Sequence, residues 1–217
     1  MTQQNAERLR AALASGNSST RLRAALAAGT TPEPEYVDVL IEQCAIEPDF
    51  FVRDMLTWAL TRHDDTVDRL VSELRSDVAQ ARSQALHTLS KIGDRRAWPA
   101  ISTELLQDAD DEVARAAWRT AVALVPDDER APLARTLVTQ LGRGERDVQR
   151  SLSRALAELG DIGRIAVLPA KQHRDEHVRA HAYATERLID HPDEDFAAAI
   201  EEARRTVALI GAPIDPT

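Results

Sequence analysis

Apolar and small residues recur along this chain at four, seven or eight, and eleven positions after a series of anchors: Leu22, Val52, Ala81, Val113, Val148 and Val178. That spacing gathers them into one stripe on a helix of 3.6 residues per turn. Val148, Leu152, Ala155, Leu156 and Leu159 show the stripe in full, and Val52, Leu56, Ala59 and Leu60 repeat it. Successive anchors lie 30, 29, 32, 35 and 30 residues apart, a beat that marks a helical solenoid. Alanine recurs in the stripe, which lets stacked helices approach closely. Arg follows four anchors directly (Arg23, Arg53, Arg82, Arg179) and stands one place later at Arg115 and Arg150.

Helix starts are expected three positions before most anchors, at Ser19, Asp49, Asp110 and Asp175, with Glu145 in the fifth copy and Asp77 one place earlier in the third. Ser and Asp there accept bonds from unpaired first-turn amides. The helices end near Gly29, His63 to Asp65, Gly93, Pro126, Gly160 and His191-Pro192. A second amphipathic stretch fits between each end and the next start: residues 35–45, 66–75, 97–106, 130–141 and 162–172. Every repeat is therefore predicted to be a helix pair, giving an all-α chain of about six pairs. The whole of 1–217 is expected to form a single array: a capping pair at 1–29, central repeats over 33–192, a closing helix at 193–210 and a fraying tail at 211–217 with Pro213 and Pro216.

Composition agrees with helix, since glycine numbers 8, aromatics are 4% and Ala, Leu and Val dominate the apolar 43%. Cys44 is the single cysteine, and neither a signal-peptide core nor a long apolar run appears, so a soluble, cytoplasmic protein is expected. A net charge of −9 opposes non-specific attachment to nucleic acid or anionic membrane.

The helix pair with an Asp-x-x-Val-Arg start resembles HEAT repeats, and among them the short bacterial HEAT-like repeats of the phycobilisome-lyase type. The pattern is carried by Asp49 to Arg53, by Asp175 to Arg179 and, with Arg displaced by one, by Asp110 to Arg115. The resemblance covers about residues 18–192 and implies a right-handed α-α superhelix. It also implies a binding scaffold, with bilin attachment and excision of alkylated DNA bases as activities of some relatives. In such solenoids the Arg beside each anchor belongs to a structural stack, paired with the capping Asp of its own or a neighbouring repeat.

Offsets two and six from the anchors lie opposite the apolar stripe. There Arg115, Arg119, Arg150 and Arg154 fall on two successive repeats and are expected to form a square patch in the concave groove, with Asp54, Trp58, Ser83 and His87 at the earlier equivalents and Trp118 beside Arg119. Planar guanidiniums beside aromatic rings suit a carboxylate-rich or phosphorylated partner. The bland alternative is a solvated face whose arginines pair with Glu145, Asp147 or Glu158. His173, His177 and His181 are spaced by four, but no cysteine or zinc-protease Glu accompanies them, so a solvent-exposed edge is expected rather than a metal site. Cys44 lies on a predicted apolar face and reads as an inert thiol. Phe50, Phe51 and Trp98 read as core wedges between repeats.

These features point to a non-enzymatic, cytoplasmic adaptor without cofactor, holding a protein or peptide through Arg115, Arg119, Arg150 and Arg154 with Trp58, Trp118 and His87. The alternatives are a nucleic-acid-binding or base-excising protein, which needs a buried Asp beside aromatics with Asp54 near Trp58 as the candidate, and a maturation factor of the bilin-lyase kind.

Overall fold

The computed structural model of the chain describes residues 2–210, with side chains over 4–208; the tail expected at 211–217 lies outside the described residues. Within them the secondary structure is helical, as the periodicity predicts, and contains no strand. The chain packs as two compact units, one ending at Leu124 and the other starting at Val125. The first unit holds α1 (Thr2–Leu13), α2 (Ser18–Thr30), α3 (Tyr36–Ile46), α4 (Phe50–Leu60), α5 (Thr66–Glu73), α6 (Ala79–Ile92), the short α7 (Thr103–Leu106) and α8 (Asp111–Leu124). The second holds α9 (Arg130–Val138), α10 (Arg146–Glu158), α11 (Asp161–Val167), α12 (Glu176–Asp190) and α13 (Phe196–Ile210).

In the first unit the second helices of successive pairs stack, α2 on α4, α4 on α6 and α6 on α8; in the second, α10 packs on α12 and α12 on α13. Stacked helix pairs of this kind make an α-solenoid of the HEAT-like type. Two of the expected first helices are broken. Pro99 lies in a tight turn of helix at Arg95–Ala100 ahead of α7, and Pro169 in another at Leu168–Gln172 after α11. Proline has no N–H to donate and its ring clashes with the preceding turn, so the longer helices do not form.

The stripe is buried as the spacing requires: Val52, Leu56, Ala59 and Leu60 on α4 and Val113, Ala117, Ala121 and Leu124 on α8 are all 0–1% exposed. Trp118 joins them, fully buried at offset five, with its indole N–H donating to the Leu106 carbonyl at 2.8 Å. Gly29 lies inside α2, because a Cβ there would fall 2.4 Å from the Trp58 ring and 2.8 Å from the Ala59 backbone. In the second unit Phe196, Ala199, Ile200, Ala203 and Val207 of α13 pack against Ala180, Ala184 and Leu188 of α12. The outer side of α13 is lined by ion pairs, Glu201 with Arg204 at 3.0 Å and Glu202 with Arg205 at 3.6 Å. Phe50 and Phe51 depart from the expected core role. They are 65% and 73% exposed, since they precede Val52 on the first turn of α4 and only Val52 turns inward. Trp98 is half-buried.

The arginine after the anchor turns back to its own loop. Arg53 donates to the Glu47 and Pro48 carbonyls at 2.9 Å, Arg82 to Ser76 at 2.8 Å, and Arg179 to His173 and Arg174 at 2.9 Å. In the first copy the same bond, to the Ser15 carbonyl at 2.9 Å, is made by Arg21 and not by Arg23. The first copy is therefore shifted two residues from its expected register: Asn17, not Ser19, caps α2, and the anchor position falls to Thr20, a polar residue that the apolar pattern passes over. Asp49, Asp110 and Asp175 cap their helices as expected. Glu145 does not, and Val78 takes the place expected for Asp77.

Two of these arginines also reach a carboxylate of the next repeat, and it stands two residues before the cap and is not the capping Asp. Arg21 grips Glu47 at 2.6 and 2.8 Å, and Arg82 grips Asp108 at 3.0 and 3.2 Å. Both acids also accept the cap residue's own N–H, from Asp49 at 3.0 Å and Asp110 at 2.9 Å. Burial alone raises the Glu47 pKa, yet the bonds from Arg21, the Asp49 N–H and Gln43 outweigh it and hold the carboxyl below its ordinary range. The copies starting at Val113 and Val148 lack this arginine. Ala114 replaces it in one, and in the other Gln149 reaches the Gly144 carbonyl at 3.0 Å.

His181 corrects the expectation of an exposed histidine edge, for it is fully buried while His173 and His177 are exposed. The Gly142 N–H donates to its Nδ1 at 2.9 Å, so that nitrogen carries no proton. Nε2–H then faces the Gln149 carbonyl and the Ser153 hydroxyl, each at 3.0 Å, and Ser153 meets Thr185 at 2.8 Å. Burial pushes the His181 pKa down to about 4. The neutral ring is thus favoured by the folded state, and its contribution is complete above the ordinary value of 6.5 and disappears as pH falls toward about 4. Burial also pushes the Cys44 thiol up to about 12, leaving it unreactive.

Two outcomes check this packing. Trp118→Ala is expected to lower the unfolding free energy by about 3–5 kcal/mol in urea titrations, whereas Arg119→Ala next to it changes it by less than about 0.5 kcal/mol. Between pH 6.5 and 4 the native chain is expected to lose about 3 kcal/mol more stability than His181→Gln. Equal losses in the two proteins would assign the slope to other groups.

Candidate functional site

With the stripe inward and the residue after the anchor turned to the loop, offsets two and six are left on the remaining side of each second helix. In the first unit these positions converge. Asp54 from α4, Ser83 and His87 from α6, and Arg115 and Arg119 from α8 line one cleft of about 260 Å³. Phe50, Arg53, Gln84, Glu112 and Ala116 complete the lining.

The cleft is cationic and only partly neutralised from within. Arg115 pairs with Glu112 at 2.6 Å, and its Nε is buried with no acceptor. Buried donors without a partner are uncommon and call for an explanation. Arg119 donates Nε–H to the Arg115 carbonyl at 3.3 Å, and no carboxylate among the described residues pairs with its guanidinium. Desolvation, and then the like charge of Arg115, lower the Arg119 pKa. His87 is also held below its usual value, first by burial, then by Arg119 and Lys91, against an opposing pull from Asp54. Each of these groups is therefore stabilised in its charged form by an anion placed among them.

The remaining residues expected at a shared site are placed as follows. Arg150 and Arg154 are exposed on α10 of the second unit, where Arg150 approaches Asp147 at 3.8 Å. Trp118 is not a groove residue, because one residue's rotation from Arg119 carries its ring into the core. Trp58 is 39% exposed, but its ring lies against Gly29 of α2 and it is not among the residues lining the cleft. Asp54 is exposed, so it does not supply the buried acid that base excision requires. Phe50 is the lining residue that the sequence misassigned. Its signal was present: it stands four residues before Asp54, on the same helical face.

Other chemistry-bearing groups do not assemble. Ser153 and His181 touch, but His181 offers its proton to the hydroxyl and so is no base for it. Among the described residues no group of three His, Cys, Asp or Glu side chains is placed to hold a metal ion, and no helix is long and apolar enough to cross a membrane.

No family model and no curated protein matches this chain. Among solved structures, the chain is similar to the complex of CpcE and CpcF of phycocyanin lyase from Nostoc sp. PCC7120. The match covers 93% of this chain and 94% of that one, at 19% identity and a TM-score of 0.39.

Proposed function

We propose that this protein is a non-enzymatic scaffold whose first unit holds a segment of a partner protein, seating an acidic or phosphorylated side chain in the cleft of α4, α6 and α8. The observation that carries this reading is the Arg119 guanidinium, lining the cleft without a carboxylate partner. Arg115 beside it adds a second fork with a free buried N–H, and guanidiniums bind oxyanions through two parallel bonds. The overall charge of −9 favours this assignment, because a chain so acidic repels anions except where cations are gathered. Arg150 and Arg154 offer the second unit a similar pair of exposed cations.

The test is selection from a random peptide display library against the whole chain. Recovered peptides are expected to be enriched in Asp and Glu, and their affinity to drop at least about tenfold on Arg119→Glu, with the melting curve unchanged. Peptides without acidic enrichment, or bound equally by the variant, contradict the proposal.

A further inference from the structure

We infer that the cleft recognises a paired feature, a single carboxylate side chain with an aromatic side chain next to it, the acid meeting Arg119 and Arg115 and the ring meeting Phe50. This rests on the anion-binding reading given above and adds the aromatic requirement to it.

Phe50 lines the cleft and is 65% exposed, and Phe51 beside it is 73% exposed. Their rings meet edge to face, 5.7 Å between centroids at 77°. Local structure asks for neither ring. The Asp49 carboxylate caps α4 through the backbone N–H groups of Phe51 and Val52, bonds that any residue but proline supplies. Core packing begins at Val52. Two adjacent phenyl groups thus remain in water, and one of them, Phe50, lines a cationic cleft. Aromatic rings beside arginines are the composition of binding hot spots, where the ring supplies buried area and the cation fixes direction.

Charge and size narrow the partner. Three guanidiniums lining the cleft face two carboxylates, those of Asp54 and Glu112, which leaves one surplus positive charge and matches one carboxylate better than a doubly charged phosphate. At about 260 Å³ the cleft falls below the roughly 300–1,000 Å³ of most small-molecule pockets, so it has room for one or two side chains. An acidic residue and an aromatic neighbour fit that space and chemistry.

The test uses short capped Gly/Ser peptides carrying Glu-Phe, Glu-Ala or Gln-Phe, titrated by fluorescence anisotropy against the full chain. Glu-Phe is expected to bind about three- to tenfold more tightly than Glu-Ala, the range worth of an aromatic pair. In Phe50→Ala, Glu-Phe should bind no more tightly than Glu-Ala. Arg119→Gln should weaken Glu-Phe and shrink its advantage over Gln-Phe, leaving only what Arg115 supplies. If Glu-Phe and Glu-Ala bind alike, or the Phe advantage survives Phe50→Ala, the aromatic requirement is wrong while the anion site stands. If no peptide binds at millimolar concentration, or Arg119→Gln leaves Glu-Phe binding intact, both readings fall.

Discussion

The fold depends on one recurring problem, the exposed carbonyls of the loop that precedes each second helix. Such groups need partners when they are drawn into a stack, and in four repeats an arginine just inside the helix supplies them. Where a carboxylate is also available two residues before the next cap, the same guanidinium reaches across to it, as Arg21 does to Glu47 and Arg82 to Asp108. The buried charges are compensated on every side, by guanidinium, by backbone N–H and, at Glu47, by Gln43, which is the condition under which burying them is tolerable. The bond fixes helix rotation as well as loop shape, because it holds the residue after the anchor against its own loop.

The rotation of α8, which lacks this arginine, is set by its buried stripe alone. With Val113, Ala117, Ala121 and Leu124 inward, offsets two and six turn to the opposite side, so Arg115 and Arg119 reach the cleft while Trp118 between them is carried into the core. Arg53 belongs to both settings, bonded to its loop and lining the cleft. Ala114 stands where other repeats place the loop arginine, and the arginine of that repeat, displaced by one residue, lines the cleft. That cation meets Glu112 at 2.6 Å through one arm and leaves its buried Nε–H without an acceptor.

Much of this was legible in the chain. The apolar stripe, the thirty-residue beat and the Asp caps marked the helix pairs, and the offset grid placed His87, Arg115 and Arg119 on one side. What escaped was anything decided by single-residue detail. The first copy slipped by two because Thr20 is polar and Leu22 is not, whereas the register is set by the Arg21 bond that hydropathy does not report. Phe50 and Phe51 read as core because large apolar residues normally are, and only the backbone reveals that their turn precedes the buried stripe. His181 looked like one of three surface histidines. Its burial is accommodated by donors and acceptors from Gly142, Gln149 and Ser153, contacts made across distant positions that spacing alone does not carry.

The central claim, that the cleft of α4, α6 and α8 is built to receive an anion, is tested most directly on His87 itself. That ring is surrounded by Lys91 on its own helix, Asp54 from α4, and Arg115 and Arg119 from α8, and it titrates below the usual histidine value chiefly through burial and then through Arg119. Nuclear magnetic resonance titration of the His87 imidazole, without and with a saturating acidic peptide, reads the local charge at the site. The account predicts a depressed value in the free protein that rises when the peptide is bound, with His181 unmoved. A His87 titration that the peptide leaves unchanged would contradict it.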